Sequence, residues 1–213
     1  MAYGFLDTLS TPSVRAAQAA NGSLEMWEDF GGHRAFDRFT AAEEAFVQAR
    51  DSFYMATVSE SGWPYIQHRG GPAGFLKVLD DQTLGFADFR GNRQYISLGN
   101  VAADDRVAVF LMDYPNRQRL KILAHMSVRD LAAEPELAGR LSSPGYRGRP
   151  ERAFILKLEN FDWNCPQHIT PRFTAAEVAA GTSALRQHLA EAEAELKVLR
   201  EQIARPQMPE IIP

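Results

Sequence analysis

Between residues 52 and 163 the chain alternates short runs of aromatic and β-branched residues with turn formers, and this spacing restricts the fold more than any other feature. "SFYMATVSESGWPYIQHRGG" reads as strand, tight turn and strand, with the turn at Ser59 to Gly62. "GFLKVLDDQTLGFADF" repeats the scheme around Asp80, Asp81 and Gln82. "RVAVFLMD" and "RLKILAHMSV" flank "YPNRQ", and "RAFILKLENFDW" is a last strand after a short helix near Glu136 to Leu141. Parallel neighbours need crossovers of a dozen residues or more, and most of these gaps are far shorter. The pattern predicts a mainly β, α+β architecture of six strands in an antiparallel barrel or sandwich, with helices confined to the connections.

Composition narrows the setting. At 213 residues the chain has room for one substantial core, and 45% apolar with 23% charged residues is the balance of a soluble globular protein. No run approaches the roughly 20 apolar residues of a spanning helix. The first residues lack the basic segment and apolar stretch of a signal peptide, and a cytoplasmic location is expected. Cys165 stands alone, which excludes an intramolecular disulfide, and the five histidines show no short metal-ligand spacing. A net charge of −4 argues against a broad nucleic-acid surface. The cations cluster locally, at Arg90 and Arg93 and at Arg117, Arg119 and Lys121, which suits a small anionic ligand.

The flanks differ from the centre, and the chain divides into residues 1–39, 40–173 and 174–213. Residues 1–39 have weak periodicity and predict an irregular arm with short helices. Thr40 with Glu43 forms a capping box that predicts a helix over Ala41 to Ala49. Thr174 and Glu177 form a second box, and Gly181 weakens the helix that follows. From Leu185 the apolar residues fall at 185, 189, 192, 196, 199 and 203, a heptad seam. Such a helix either lies on its own domain or pairs with a partner subunit. "RPQMPEIIP" predicts an extended tail.

Four segments could carry chemistry. In "DFRGNRQY" a strand ends at a glycine, and the backbone amides and the side chains of Asn92, Arg93 and Gln94 follow; a helix starting here would aim its unpaired N–H groups at an anion, while a solvated turn is the plainer reading. "YIQHRGGPAGFLKV" carries Gln67, His68, Arg69 and Gly70 before a glycine-rich bend, either clearance for a flat ring or a barrel corner. Arg117, Arg119 and Lys121 alternate, so on a strand they share one face, toward an anion or along an exposed edge. "NFDWNCPQHITPRF" places Trp163, Asn164, Cys165, Gln167 and His168 at a strand end, a candidate binding wall, with a nucleophilic Cys165 as the sharper alternative.

In order and spacing, "GWPYIQHRGG", "FADFRGNRQY", "DDRVAVFL" and "RQRLKI" resemble the pyridoxamine 5′-phosphate oxidase-like, FMN-binding split-barrel superfamily, over roughly Ala45 to Phe173. The combination of "QHRGGPAGFL", "DFRGNRQYISLGN" and "WNCPQHI" resembles the branch of oxidase-related flavin-binding proteins. The resemblance implies a six-stranded split barrel with a C-terminal helix, and FMN held at the interface of a homodimer. It implies that Gly91 to Gln94 hold the phosphate, with Arg93 as counter-charge and Asn92 and Gln94 as hydrogen-bond partners. Gln67 to Gly71 would run beside the ring and ribityl chain, and Asp88 would face the flavin. Arg119 and Lys121, with Trp163, Asn164 and Gln167, would reach the flavin of the partner subunit, and His68 and Arg69 would meet a small-molecule substrate. The oxidase's lysine is Pro72 here and its Arg-rich C-terminal motif is absent, so pyridoxal phosphate synthesis is not implied. The expected activity is an FMN-dependent oxidoreductase; the alternatives are a flavin carrier or sensor, or a barrel that binds haem or deazaflavin.

Overall fold

The computed structural model describes residues 3–28, 36–163 and 166–204. The chain forms two compact units, Met1–Thr170 and Pro171–Pro213. The first begins with three short helices, α1 (Tyr3–Leu9), α2 (Pro12–Ala20) and α3 (Leu24–Glu28), followed by α4 (Ala41–Gln48). The strands are β1 (Ser52–Val58), β2 (Pro64–Gly70), β3 (Lys77–Asp80), β4 (Thr83–Phe89), β5 (Arg106–Asp113), β6 (Gln118–Arg129) and β7 (Pro150–Trp163). Helix α5 (Ile96–Ala103) joins β4 to β5, and α6 (Pro135–Arg140) lies between β6 and β7. The second unit holds α7 (Ala175–Gly181) and α8 (Ser183–Ala204), broken at the predicted glycine.

All strand pairs are antiparallel, in the order β2-β1-β5-β6-β7-β4-β3. The sheet therefore has seven strands, not the six expected. Each of the seven strands falls in an apolar segment picked out by sequence, so the expected total was one short; β3 is a four-residue edge strand with Lys77, Val78 and Leu79 half-buried. The sheet wraps around a core that joins strands distant in that order: the Phe53 ring on β1 meets the Phe86 ring on β4 edge-on at 5.2 Å. Phe86 also meets Phe154 on β7 at 5.4 Å, and all three phenylalanines are almost wholly buried. Asp88 lies on the same strand face as Leu84 and Phe86, so the core row ends in a carboxylate at the open end of the barrel.

Side-chain hydrogen bonds tie the helices to the barrel. Asn160 on β7 donates to Thr8 Oγ1 at 2.6 Å and to the Gly4 carbonyl at 3.2 Å, which fastens α1. The Thr40 capping box starts α4 as predicted, and Glu43 does more than cap: its Oε1 accepts the Trp163 indole N–H at 2.6 Å. Burial pushes the Glu43 pKa up, but hydrogen bonds from the Thr40 side chain, Trp163 and the Thr40 backbone outweigh it and the net shift is downward. A lowered folded pKa means stabilisation that is present above the ordinary carboxylate range and lost as pH falls through the folded value. Glu43→Ala is expected to cost about 1–3 kcal/mol, because it removes a cap partner and strands the indole N–H. Urea denaturation at neutral pH measures this, and the gap to the parent should narrow in acid.

Candidate functional site

Edge strand β2 has no backbone ladder to β4, and a cleft of about 210 Å³ opens where the two approach. Tyr65, Gln67 and Arg69 line it from β2, Asp88 and Phe89 from β4, and Glu151 and Phe154 from β7. Gly91 to Tyr95 and the first residues of α5 complete the wall. The period of two along β2 turns Tyr65, Gln67 and Arg69 inward together.

Charges in the cleft form a chain. Arg69 Nη1 donates to Asp88 Oδ1 at 2.6 Å, and Arg152 Nε lies 3.8 Å from Asp88 Oδ2. Arg152 Nη2 donates to Glu151 Oε2 at 3.0 Å, and the Tyr95 hydroxyl donates to the same oxygen at 3.2 Å. Burial pushes the Asp88 pKa up, and the attraction of Arg69 and Arg152 offsets that only in part. The Arg69 guanidinium lies 5.5 Å from the centre of the Phe154 ring, and its Nε is buried without a hydrogen-bond partner among the described residues. A donor left in that state costs about 1–3 kcal/mol, which a ligand acceptor would recover.

The loop from Gly91 to Tyr95 turns differently from the sequence expectation. A Cβ at Gly91 would meet nothing within 4 Å, and its φ is not left-handed. The left-handed residues are Arg93, at φ 64°, and Tyr95, at φ 52°, each strained by about 1 kcal/mol or more. The Asn92 side chain accepts the Gln94 N–H at 3.2 Å, which supports the turn. The helix begins at Ile96, not at Asn92, and its cap residue Tyr95 offers no side-chain acceptor. Its first N–H groups therefore lack a capping side chain beside the cleft. Arg93 is exposed and makes no ion pair among the described residues.

The fold thus gathers Gln67, Arg69, Asp88, Asn92, Arg93 and Gln94 around one cleft. Gln67 Oε1 accepts the Ser97 hydroxyl at 3.1 Å, which ties β2 to α5. His68 and Gly70 face the other side of β2, where the His68 ring meets Tyr54 at 5.6 Å. The adjoining glycine bend is a packing feature: a Cβ on Gly71 would come within 2.6 Å of the Phe75 ring. Arg119 and Lys121 lie on the outer face of β6, opposite Met112 and Phe110. Lys121 pairs with Asp162 at 2.6 Å, and Arg119 Nε is buried without a partner among the described residues. Arg117 does not share their strand face; it sits in the preceding turn at φ 54°. Trp163 packs edge-on to Phe46 at 4.7 Å beside Glu43. Gln167 is exposed in the loop beyond β7, and Asn164 and Cys165 lie outside the described residues.

The cleft also contains residues that the sequence did not single out: Tyr65, Tyr95, Ser97, Glu151 and Phe154, with Arg152 behind them. The register Asp88↔Arg152 explains the omission, because only long-range strand pairing brings "RPERAF" to the site. Among the described residues no group of three or more His, Cys, Asp or Glu is placed to hold a metal ion, and no helix is long and apolar enough to cross a membrane.

An antiparallel sheet wrapped into a split barrel, with a polar cleft at the split, defines the class of this protein. The sequence profile of pyridoxamine 5′-phosphate oxidase matches residues 39–155, more than half of the chain, and the chain belongs to that family, whose members bind FMN or related flavins. No curated protein matches it. Similar solved structures include a candidate pyridoxamine 5′-phosphate oxidase from Lactobacillus delbrueckii, 21% identical, with a TM-score of 0.45 over 59% of this chain and 94% of that one. HupZ of Group A Streptococcus is 15% identical, with a TM-score of 0.44 over 63% and 100% of the two chains. An FMN-binding protein from Syntrophomonas wolfei is 16% identical, with a TM-score of 0.44 over 58% and 85%.

Proposed function

We propose that this chain is an FMN-dependent oxidoreductase that acts on a small molecule as a homodimer. The observation that carries the reading is the cleft itself: exposed Arg93, which makes no ion pair among the described residues, and the uncapped start of α5 stand beside an Arg69 whose buried Nε lacks a partner among the described residues. An anionic group with a polar flat body answers both needs, and the residues present fit FMN. Arg93, Asn92 and Gln94 would hold its phosphate, with the first N–H groups of α5 adding positive potential. Gln67 and Arg69 would face the ring and ribityl chain, with Asp88 holding the Arg69 guanidinium in place. Bound flavin supplies hydride and electron transfer; the protein supplies orientation and donors.

Pairing of two copies is supported by the size and setting of the cleft. About 210 Å³ falls short of the roughly 300 Å³ at which enclosed small-molecule sites begin. The outer face of β1, β2, β5 and β6 exposes Tyr54 and Ile66, 38% and 66% accessible, beside Phe110 and Met112. A second barrel on that face would cover this apolar surface, and Arg119 and His68 lie on the same side.

The purified protein is expected to show the visible absorption of an oxidised flavin, or to acquire it on addition of FMN. A colourless protein that takes up no FMN would refute the reading. Arg93→Ala is expected to weaken FMN binding about tenfold or more if the guanidinium makes a charge-assisted phosphate contact, measured by flavin fluorescence titration. Anaerobic reduction by NADH or NADPH, followed by reoxidation with added acceptors, separates an enzyme from a carrier.

A further inference from the structure

Helix α8 displays its whole heptad seam to solvent. Leu185, Leu189, Leu196, Leu199 and Ile203 are 70%, 57%, 51%, 48% and 84% exposed, and Ala192 completes the spacing. A 22-residue helix with this stripe uncovered is short of a partner surface, since helices in proteins draw most of their stability from packing an apolar face. Alternating steps of four and three place Leu189, Leu196 and Ile203 at the a positions and Leu185, Ala192 and Leu199 at d.

The flanking charges decide the occupant. Positions e are Arg186, Glu193 and Arg200; positions g are His188, Glu195 and Gln202. In a parallel pair each g residue meets the e residue five positions further along the other helix. Glu195 then meets Arg200 of the partner subunit, a pairing of opposite charges, and His188 meets Glu193 of the partner subunit, a carboxylate that can accept an imidazole N–H. In an antiparallel pair e faces e and g faces g, so Arg186 would meet Arg200, Glu193 would meet Glu193 and Glu195 would meet Glu195. Each of those is a like-charge contact, repeated by symmetry.

We propose that α8 binds the α8 of a second copy as a parallel, in-register coiled coil. The inference rests on α8 alone and does not depend on the flavin or on the barrel face described above. It makes the C-terminal unit a second self-association surface, and the pairing is short enough to depend on the rest of the assembly for effective concentration.

Site-specific cross-linking of the full-length protein tests it, in a Cys165→Ser background. Leu199→Cys at a d position should form a disulfide-linked dimer under mild oxidation, because parallel pairing apposes the two thiols. Antiparallel pairing on the same seam would separate them by about 15 Å along the axis, beyond the roughly 7 Å between Cα atoms that a disulfide spans. Val198→Cys, outside the seam, should cross-link about fivefold less. Glu195→Lys should lower the Leu199→Cys yield about fivefold, and adding Arg200→Glu should restore it. Equal yields at 198 and 199, or a yield indifferent to Glu195→Lys, would overturn the proposal. Sedimentation of the unoxidised proteins keeps the two interfaces apart: a dimer that does not cross-link at 199 retains the barrel pairing and refutes the helical one.

Discussion

Arg69→Ala is expected to destabilise the protein by about 3–5 kcal/mol, the usual consequence of removing one partner of a buried ion pair. The side chains of Arg69 and Asp88 are 16% and 9% exposed, so solvent cannot substitute for the lost guanidinium. Asp88 would keep only Arg152, at 3.8 Å. The pH dependence carries a definite sign. Burial already holds the Asp88 pKa above its ordinary value, and loss of Arg69 raises it further. A carboxyl with a raised folded pKa penalises folding once the pH exceeds its unfolded value, and the penalty is complete above the folded value. The deficit of Arg69→Ala should therefore be largest at neutral pH and shrink on acidification. Asp88→Asn should also lose stability, because it leaves the buried Arg69 guanidinium without its counter-charge and arginine cannot shed its proton. Urea denaturation across the pH range measures all three proteins; a deficit independent of pH would disconnect it from Asp88.

Phe154→Ala should cost a comparable 3–5 kcal/mol or so through the cavity it opens. Phe154 is fully buried, packs against Phe86 and lies beneath the Arg69 guanidinium, so the same ring serves the core and the cleft floor. Phe154→Leu should recover much of the stability but not the flat support for Arg69. Thermal unfolding reads the first effect. Titration with FMN, the ligand of the proposed function, compared between the Leu variant and the parent, reads the second.

Local pairings were legible because turn chemistry encodes them. Ser59 to Gly62 and Asp81 to Gln82 mark hairpins β1–β2 and β3–β4, and the Thr40 and Thr174 boxes start helices α4 and α7. The pairs β1·β5, β6·β7 and β4·β7 depend on surfaces that meet only after collapse, and no short-range signal announces them. The cleft divides in the same way. Gln67, Arg69, Asp88 and Asn92 to Gln94 stood out within two segments, whereas Glu151 and Arg152 enter through the β4·β7 register. Trp163 was conspicuous as an aromatic at a strand end, but its N–H could serve a ligand or a neighbour equally well on sequence grounds, and here it meets Glu43. Strain at Arg93 and Tyr95 left no compositional trace, since Gly91 drew attention to the wrong member of the loop.

The gap between β2 and β4 also sets the mechanical weak line of the barrel. Among the described residues the Arg69 to Asp88 hydrogen bond crosses it, with Gln67 to Ser97 tying β2 to α5 alongside, in place of a ladder of amides. A molecule seated there acts as a clasp across an unbuttoned edge. Amide exchange along β2 should slow on ligand binding more than exchange along β6, which is laddered on both sides.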